Sequence, residues 1–335
     1  MGYLHLTADS GQMSREGESL VFRGEGGEKQ TIPLVGIEGV FVHGSATITT
    51  PALCMLMERG VRVHYLGGNG RYIGSAGPAV RGQVRLQAAQ LEASLDPARK
   101  SLFAQSFVVG KILNQYTVLT RFAEYRKESS EPIRKASACL HRMALNAAAE
   151  ENSEKAMGFE GAAASVYFGQ FPNILIGPWS KVFKGRNRRP PEDPVNCLLS
   201  FGYSLLQSKI VEACLEKGFD METGFLHETY RGRPALALDL MEEFRPVAVD
   251  RLVLAVLNQS ILPKNAFEDE GKNGLRLRSL ARQRFIKEFE ENMKKPVRNA
   301  LTLNTMTMSE AIAGQAENLK TAILEKKPYF PLTCL

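Results

Sequence analysis

No stretch of the chain approaches the roughly 20 uninterrupted apolar residues that a membrane-spanning helix needs, so no membrane partner is expected. The N-terminus, Met1-Gly2-Tyr3-Leu4-His5-Leu6, alternates polar and apolar residues and lacks the basic start and apolar run of a secretory signal. A cytoplasmic protein is the expectation. The five cysteines, Cys54, Cys139, Cys197, Cys214 and Cys334, lie far apart and include no CxxC pair that would supply half a zinc site. They read as reduced, mostly buried thiols. There is no GxSxG elbow and no Walker loop, and His5, His43, His64 and His141 form no pair at the i, i+4 spacing of a helical zinc motif. No repeat recurs at a fixed period.

What is present fits a folded protein of two domains, since 335 residues exceed one ordinary core. Hydrophobic residues at 44% and charged residues at 23% are ordinary values for such a chain. With 42 Lys plus Arg against 36 Asp plus Glu, the net charge of +6 permits a polyanionic partner without demanding one. The basic residues gather in two runs. One holds Lys181, Lys184, Arg186, Arg188 and Arg189, and the other extends from Lys272 to Arg298 with Arg276, Arg278, Arg282, Arg284 and Lys287. Each suits a phosphate backbone or, equally, a solvated face.

Periodicity divides the chain. Up to about residue 80, short alternating runs such as Gly39-Val40-Phe41-Val42 and Val61-Arg62-Val63-His64-Tyr65 predict strands. Within them, Thr50 before Pro51 predicts a capped short helix that Gly60 stops. The breaker-rich Gly74-Ser75-Ala76-Gly77-Pro78 reads as the hinge to a second half. Beyond it, Val109, Ile112, Leu113, Tyr116 and Leu119 fall at helical spacing. The expected fold is α+β, with a small β-sandwich-like domain over 1–78 and a larger, mostly helical domain over 79–335. Loops are expected around Glu128–Glu131, Gly185–Pro194 and Pro263–Gly274, and Gly67-Gly68-Asn69-Gly70 reads as a hairpin turn.

Three places in the helical half carry candidate chemistry. Glu160 is a lone carboxylate among small residues, sharing a helical face with Ala163, Ala164 and Tyr167. It suits an ion ligand or, alternatively, the exposed edge of a packing seam. His227 follows Gly224-Phe225-Leu226 and is a ligand or a satisfied turn histidine. Asp239 and Glu242 share a helical face at i, i+3, with Glu243 beside them and Pro246 beyond, as an ion site or as a solvated acidic helix end. Carboxylate oxygens with one imidazole favour Mg2+ or Mn2+ over zinc. Tyr167 and Tyr203 are expected in aromatic packing, with stacking on a DNA end as the alternative.

At these residues the chain resembles the CRISPR-associated endonuclease and integrase that inserts new spacers into CRISPR arrays. The resemblance includes Ile32-Pro33-Leu34-Val35-Gly36-Ile37-Glu38-Gly39-Val40 and Leu66-Gly67-Gly68-Asn69-Gly70. It continues through Gly158-Phe159-Glu160-Gly161, Arg189-Pro190-Pro191-Glu192-Asp193-Pro194-Val195-Asn196, Gly224-Phe225-Leu226-His227 and Asp239-Leu240-Met241-Glu242-Glu243-Phe244-Arg245-Pro246. It implies Glu160, His227 and Glu242 as catalytic metal ligands and Asp239 as a supporting acid. On charge, the basic loop Lys181–Arg189, with Lys184, Arg186 and Arg188, and Arg245 are candidate DNA contacts. Also implied are prespacer and repeat-leader DNA as substrates, and a homodimer formed through the N-terminal domain. Two such dimers flanking a small ferredoxin-like adaptation protein would make a heterohexamer. Within the same chemistry, a general nuclease on branched or single-stranded DNA and a non-catalytic DNA-binding scaffold remain alternatives.

Overall fold

The computed structural model describes residues 2–7, 10–24, 26–67, 70–79, 83–125, 130–150, 153–187, 190–228, 232–263 and 265–335. Its N-terminal part holds strands β1 (Gly2–Leu6), β2 (Gln12–Glu16), β3 (Ser19–Arg23), β4 (Lys29–Ile32), β5 (Ile37–His43) and β6 (Thr47–Ile48). Helix α1 (Thr50–Glu58), β7 (Arg62–Leu66) and β8 (Tyr72–Ala76) follow. They form two four-stranded sheets, ordered β1-β5-β7-β8 and β4-β3-β2-β6. In the first, β1, β5 and β7 run parallel and β8 returns antiparallel to β7.

Side chains alternate across a strand, and this fixes what each face of the first sheet does. Leu4, Leu6, Val40, Val42 and Val63 enter a small core shared with Met13, Leu20 and Ile32 of the second sheet and with Met55 and Leu56 of α1. The opposite face carries Tyr3, His5, Phe41, His43, Arg62 and His64 towards the helical half. Helix α1 begins at the expected cap residue itself, so that Thr49, one residue earlier, holds the cap position, with no side-chain bond from it. The hinge also starts later than the breakers indicate. Gly74, Ser75 and Ala76 pair with Tyr65, His64 and Val63 across β7 and β8, because a small-residue run can still satisfy its backbone in a hairpin.

The second part begins with α2 (Val84–Leu95), α3 (Pro97–Tyr125), α4 (Glu131–Ala149) and α5 (Ser153–Phe168). The short α6 (Phe171–Ile174) and α7 (Trp179–Val182) precede α8 (Pro194–Lys217) and α9 (Ala235–Phe244). A π-helical turn, Arg245–Asp250, leads directly into α10 (Arg251–Asn258). Where a loop is expected over Pro263–Gly274, β9 (Phe267–Asp269) and β10 (Leu275–Leu277) pair as a hairpin. Next come α11 (Ser279–Met293), the paired β11 (Pro296–Arg298) and β12 (Thr305–Thr307), and α12 (Met308–Leu324). Asp193 caps α8 by accepting from the Asn196 N–H at 2.9 Å, with Pro194 in the first turn, where its missing N–H costs nothing.

One core runs through the helices, with α3 packed along α4, α5 and α9, and α8 buried on nearly every side. The last residues are ordered against it. Asn114 of α3 donates to the Leu332 carbonyl at 2.8 Å and accepts from the Cys334 N–H at 2.8 Å. Among the described residues, no helix is long and apolar enough to cross a membrane.

Candidate active site

Helix α9 carries three acids within five residues, and all three are buried, so the reading of a solvated acidic helix end is overturned. The apolar residues between them explain why. Leu236, Leu240 and Phe244 lie in the main core, and a helix embedded that deeply takes its polar residues inside with it.

Each acid is satisfied differently. Asp239 accepts the backbone N–H groups of Phe225 (2.6 Å), Leu226 (3.0 Å) and His227 (2.8 Å), and also contacts His227 Nδ1 at 2.7 Å. The Gly224–His227 turn packs so closely on α9 that a Cβ at Gly224 would lie 2.8 Å from the Ala235 Cβ and 2.9 Å from Asp239 Oδ2. Only glycine fits there. Glu243 accepts from the Tyr329 hydroxyl (2.7 Å) and the Leu332 N–H (2.6 Å). Burial nevertheless pushes its carboxyl up to about 8. Burial acts in the same direction on Glu242, but Arg245, Lys111 and His227 outweigh it and hold that carboxyl down at about 2.

Glu242 is the hinge of the site. Its Oε1 lies 3.1 Å from Arg245 and 3.9 Å from His227 Nε2, and its Oε2 lies 2.7 Å from Lys111 Nζ. The same Nζ contacts the carboxylate of Glu160, which α5 brings in half-buried. Asp239 ties down Nδ1, so the other ring nitrogen of His227 is presented to Glu242, the arrangement by which an outer carboxylate orients a metal-binding imidazole. Glu160 and Glu242 thus meet on one cationic group, Lys111, and His227 approaches the other oxygen of Glu242. Among the described residues no three His, Cys, Asp or Glu side chains close into a ready-made ion cage; the Lys111 ammonium stands between Glu160 and Glu242. Two carboxylates gathered on one positive charge, with an oriented imidazole beside them, nevertheless form a donor set that fits a hard divalent ion.

A cavity of about 500 Å³ opens beside this cluster. Lys111, Glu160, Lys184, Arg186 and Arg245 reach its wall, together with Tyr203 and Asp250. The π-turn after α9 points Arg245 back towards Glu242 while delivering Asp250 to the Tyr203 hydroxyl at 2.5 Å. Tyr203 has the guanidinium of Arg245 4.9 Å and that of Arg186 5.5 Å from its ring centroid. Burial pushes Asp250 up to about 6, against the opposing hydrogen bond from Tyr203.

Of the expected basic contacts, Lys184, Arg186 and Arg245 line the cavity, whereas Lys181 sits on α7 outside it, and Arg188 and Arg189 lie outside the described residues. Tyr167 is fully buried and packs edge-on against Phe171. In the second basic run, Arg282 is buried and donates to the Thr7 carbonyl at 3.0 Å, and Arg276 pairs with Glu270 at 2.8 Å. That part of the run is structural. Sequence reasoning missed Lys111, Gln115 and Asp250. The available signal was a cation and an amide at i, i+4 inside the apolar pattern of α3.

A sheet pair leads into a helical half that gathers acids, an imidazole and cations beside a cavity, an arrangement suited to an enzyme acting on a charged substrate. The model of the family CRISPR associated protein Cas1 matches residues 4–291, and the chain belongs to that family. A CRISPR-associated endonuclease Cas1 of Thermus thermophilus is 33% identical over 332 residues, covering 98% of this chain and 96% of its own. A solved CAS1 protein from Thermotoga maritima is 25% identical with a TM-score of 0.80, and the match covers 97% of each chain. A solved Cas6-RT-Cas1–Cas2 complex is 26% identical with a TM-score of 0.83, covering 99% of this chain and 36% of that one. The protein is an enzyme of this endonuclease family, and its β-rich start followed by a helical domain is the fold of that family.

Proposed function

We propose that this enzyme inserts short foreign DNA fragments into a CRISPR array, with Glu160, His227 and Glu242 holding one Mg2+ or Mn2+ ion and a 3′-hydroxyl attacking a phosphodiester. The observation that supports the reading is that Lys111 bridges Glu160 of α5 and Glu242 of α9, with His227 of the Gly224–His227 turn 3.9 Å from Glu242, beside a basic cavity that Lys111 and Glu160 line.

When bound, the ion neutralises charge building on the scissile phosphate. Glu160 and Glu242 supply hard oxygen donors, and the low value of Glu242 keeps it ionised throughout the neutral range. His227 presents Nε2 because Asp239, the supporting acid, holds Nδ1. Lys184, Arg186 and Arg245 draw the DNA backbone to the cavity, and Arg245 also neutralises Glu242 when substrate is absent. Lys181, Arg188 and Arg189 belong to the same basic run of the sequence and are proposed as further DNA contacts. The substrates are the incoming prespacer and the repeat-leader DNA of the array. The protein works in the cytoplasm as a homodimer joined through its N-terminal domain, two dimers flanking a small ferredoxin-like adaptation protein. Support for that partner is the similarity to the Cas1 part of a solved complex whose name includes Cas2.

The test is strand transfer of a short duplex with 3′-hydroxyl ends into a supercoiled plasmid bearing an array, with the small partner present, in Mn2+, Mg2+ or chelator. Metal-dependent joining that vanishes in Glu160→Ala and His227→Ala supports the reading. Shorter fragments without joined product would make the protein a nuclease that uses water. Wild-type joining by either variant would refute the assignment of the site.

A further inference from the structure

Lys111 occupies an unusual position for a lysine. Only 6% of its side chain is exposed, its Nζ lies 2.7 Å from Glu242 Oε2, and it touches the Glu160 carboxylate as well. The amine stands between the two acids that would take the ion. One helical turn later, Gln115 is 1% exposed and its Oε1 is buried without a hydrogen-bond partner. Both residues line the same cavity, and i, i+4 side chains on a helix are neighbours. An unpaired buried amide oxygen beside a buried ammonium is a donor–acceptor pair not yet made.

The residue before Lys111 packs closely. A Cβ at Gly110 would lie 2.5 Å from Pro331 and 3.2 Å from the Glu243 Cβ, so α3 lies hard against the C-terminal segment and α9 there. The rearrangement open to Lys111 is side-chain rotation, with its charge on a flexible four-carbon stem.

We propose that Lys111 is an internal cation that competes with the divalent ion for Glu160 and Glu242, and that its amine turns to Gln115 Oε1 as the ion enters. The proposal rests on the reading of Glu160, His227 and Glu242 as the ligand set. Before the ion arrives, the ammonium holds two carboxylates together that would otherwise repel each other. A single positive charge and a divalent ion cannot share that position, since their repulsion acts at contact distance in a poorly solvated site. Once displaced, the amine satisfies Gln115 and adds positive charge to the wall that already carries Lys184 and Arg245, the side from which a phosphate would approach. Lys111 is in this account a positioning residue with two stations.

Binding of Mn2+ alone to the full-length protein without DNA, followed by calorimetry and by the paramagnetic resonance of free Mn2+, tests this directly. Lys111→Met should bind Mn2+ at least tenfold more tightly than the wild type, and in chelator it should melt at a lower temperature. Lys111→Gln should shift affinity in the same direction, which guards against a folding fault peculiar to methionine. Gln115→Leu should bind severalfold more weakly, because the displaced amine loses its acceptor. Unchanged or weaker Mn2+ binding by both Lys111 variants would overturn the competition, and wild-type binding by Gln115→Leu would overturn the second station. Glu160→Gln and Glu242→Gln separate the two levels of the argument. If these bind Mn2+ like the wild type, the ligand set itself falls and the proposal with it. If they lose binding while both Lys111 variants match the wild type, only the competition is refuted.

Discussion

Histidines meet carboxylates in two regions of this protein, and the two clusters do different work with the same residue types. At the seam between the first sheet and the helices, His64 Nε2 lies 2.8 Å and Arg62 Nε 3.2 Å from Glu212 of α8. Nearby, His5 and Lys209 contact Glu290 of α11 at 3.0 and 2.8 Å, and the Lys209 ammonium sits over the Tyr3 ring. His43 completes the group, its Nε2 3.0 Å from His5 Nδ1. Each seam acid gathers two partners, as Glu242 gathers several, but the sheet covers them. At Glu242, by contrast, the partners Lys111 and Arg245 also line an open cavity. Access, rather than the residues themselves, separates a site from a clamp.

The sharpest way to break that contrast is to remove one acid from each cluster. Glu160→Ala should reduce strand transfer by about a thousandfold or more while the melting temperature stays within a few degrees of wild type. Glu212→Ala should do the reverse, leaving activity per folded molecule intact while costing about 3–5 kcal/mol, because Arg62 and His64 lose a buried partner. Thermal melts alongside the joining assay would decide, and a dead but stable Glu212 variant would erase the distinction. Next in size, Asp239→Asn should lower Mn2+ affinity or activity about 10–100-fold by freeing the His227 ring.

A middle-sized effect comes from the strap behind the site. Asn114→Ala strands the polar groups of Glu243, Leu332 and Cys334 that it now satisfies, and should cost about 2–3 kcal/mol in denaturant unfolding. The two regions should also answer pH in opposite directions. Burial, with His5 and Arg282 nearby, holds His43 down at about 3 against its ordinary 6.5. The unfolded chain therefore takes up that proton first, and seam stability should fall as pH drops below 6.5. Glu243 is raised to about 8, so its contribution is complete below 4.5 and is lost as pH rises through 8. His43→Gln should flatten the acid limb between pH 6.5 and 4.5, above the range where Glu242 begins to titrate, and Glu243→Gln the alkaline one. Melting temperatures from pH 5 to 9 check both. The smallest effect concerns DNA affinity. Lys184→Ala should make the salt dependence of duplex binding shallower by about 0.9 log units if it neutralises one phosphate, and an unchanged slope would return Lys184 to the solvated surface.

Much of this was legible in advance where the pattern is local. Alternation in Gly39–Val42 marks a strand, the period of Val109 to Leu119 marks a long helix, and of the residues that the family motifs single out, Glu160 and Glu242 meet on Lys111 with His227 3.9 Å from Glu242. Local pattern misled where the partner is distant. Gly74–Ala76 look like a hinge until β7 offers them a ladder, and Pro263–Gly274 look like a loop until β9 and β10 pair. Asp239, Glu242 and Glu243 look like a wet helix end until the surrounding core is assembled.

By itself the sequence determined the β-then-α division, since this depends on spacing along the chain, and it carried the motifs by which the chain resembles its family. It did not determine the seam histidines, the cation between Glu160 and Glu242, or the strap that holds Glu243. Those depend on residues 49, 148 and 89 positions apart in the chain meeting in space. Only the tertiary structure decides such meetings, because burial sets both which charges must be paired and which partners remain within reach.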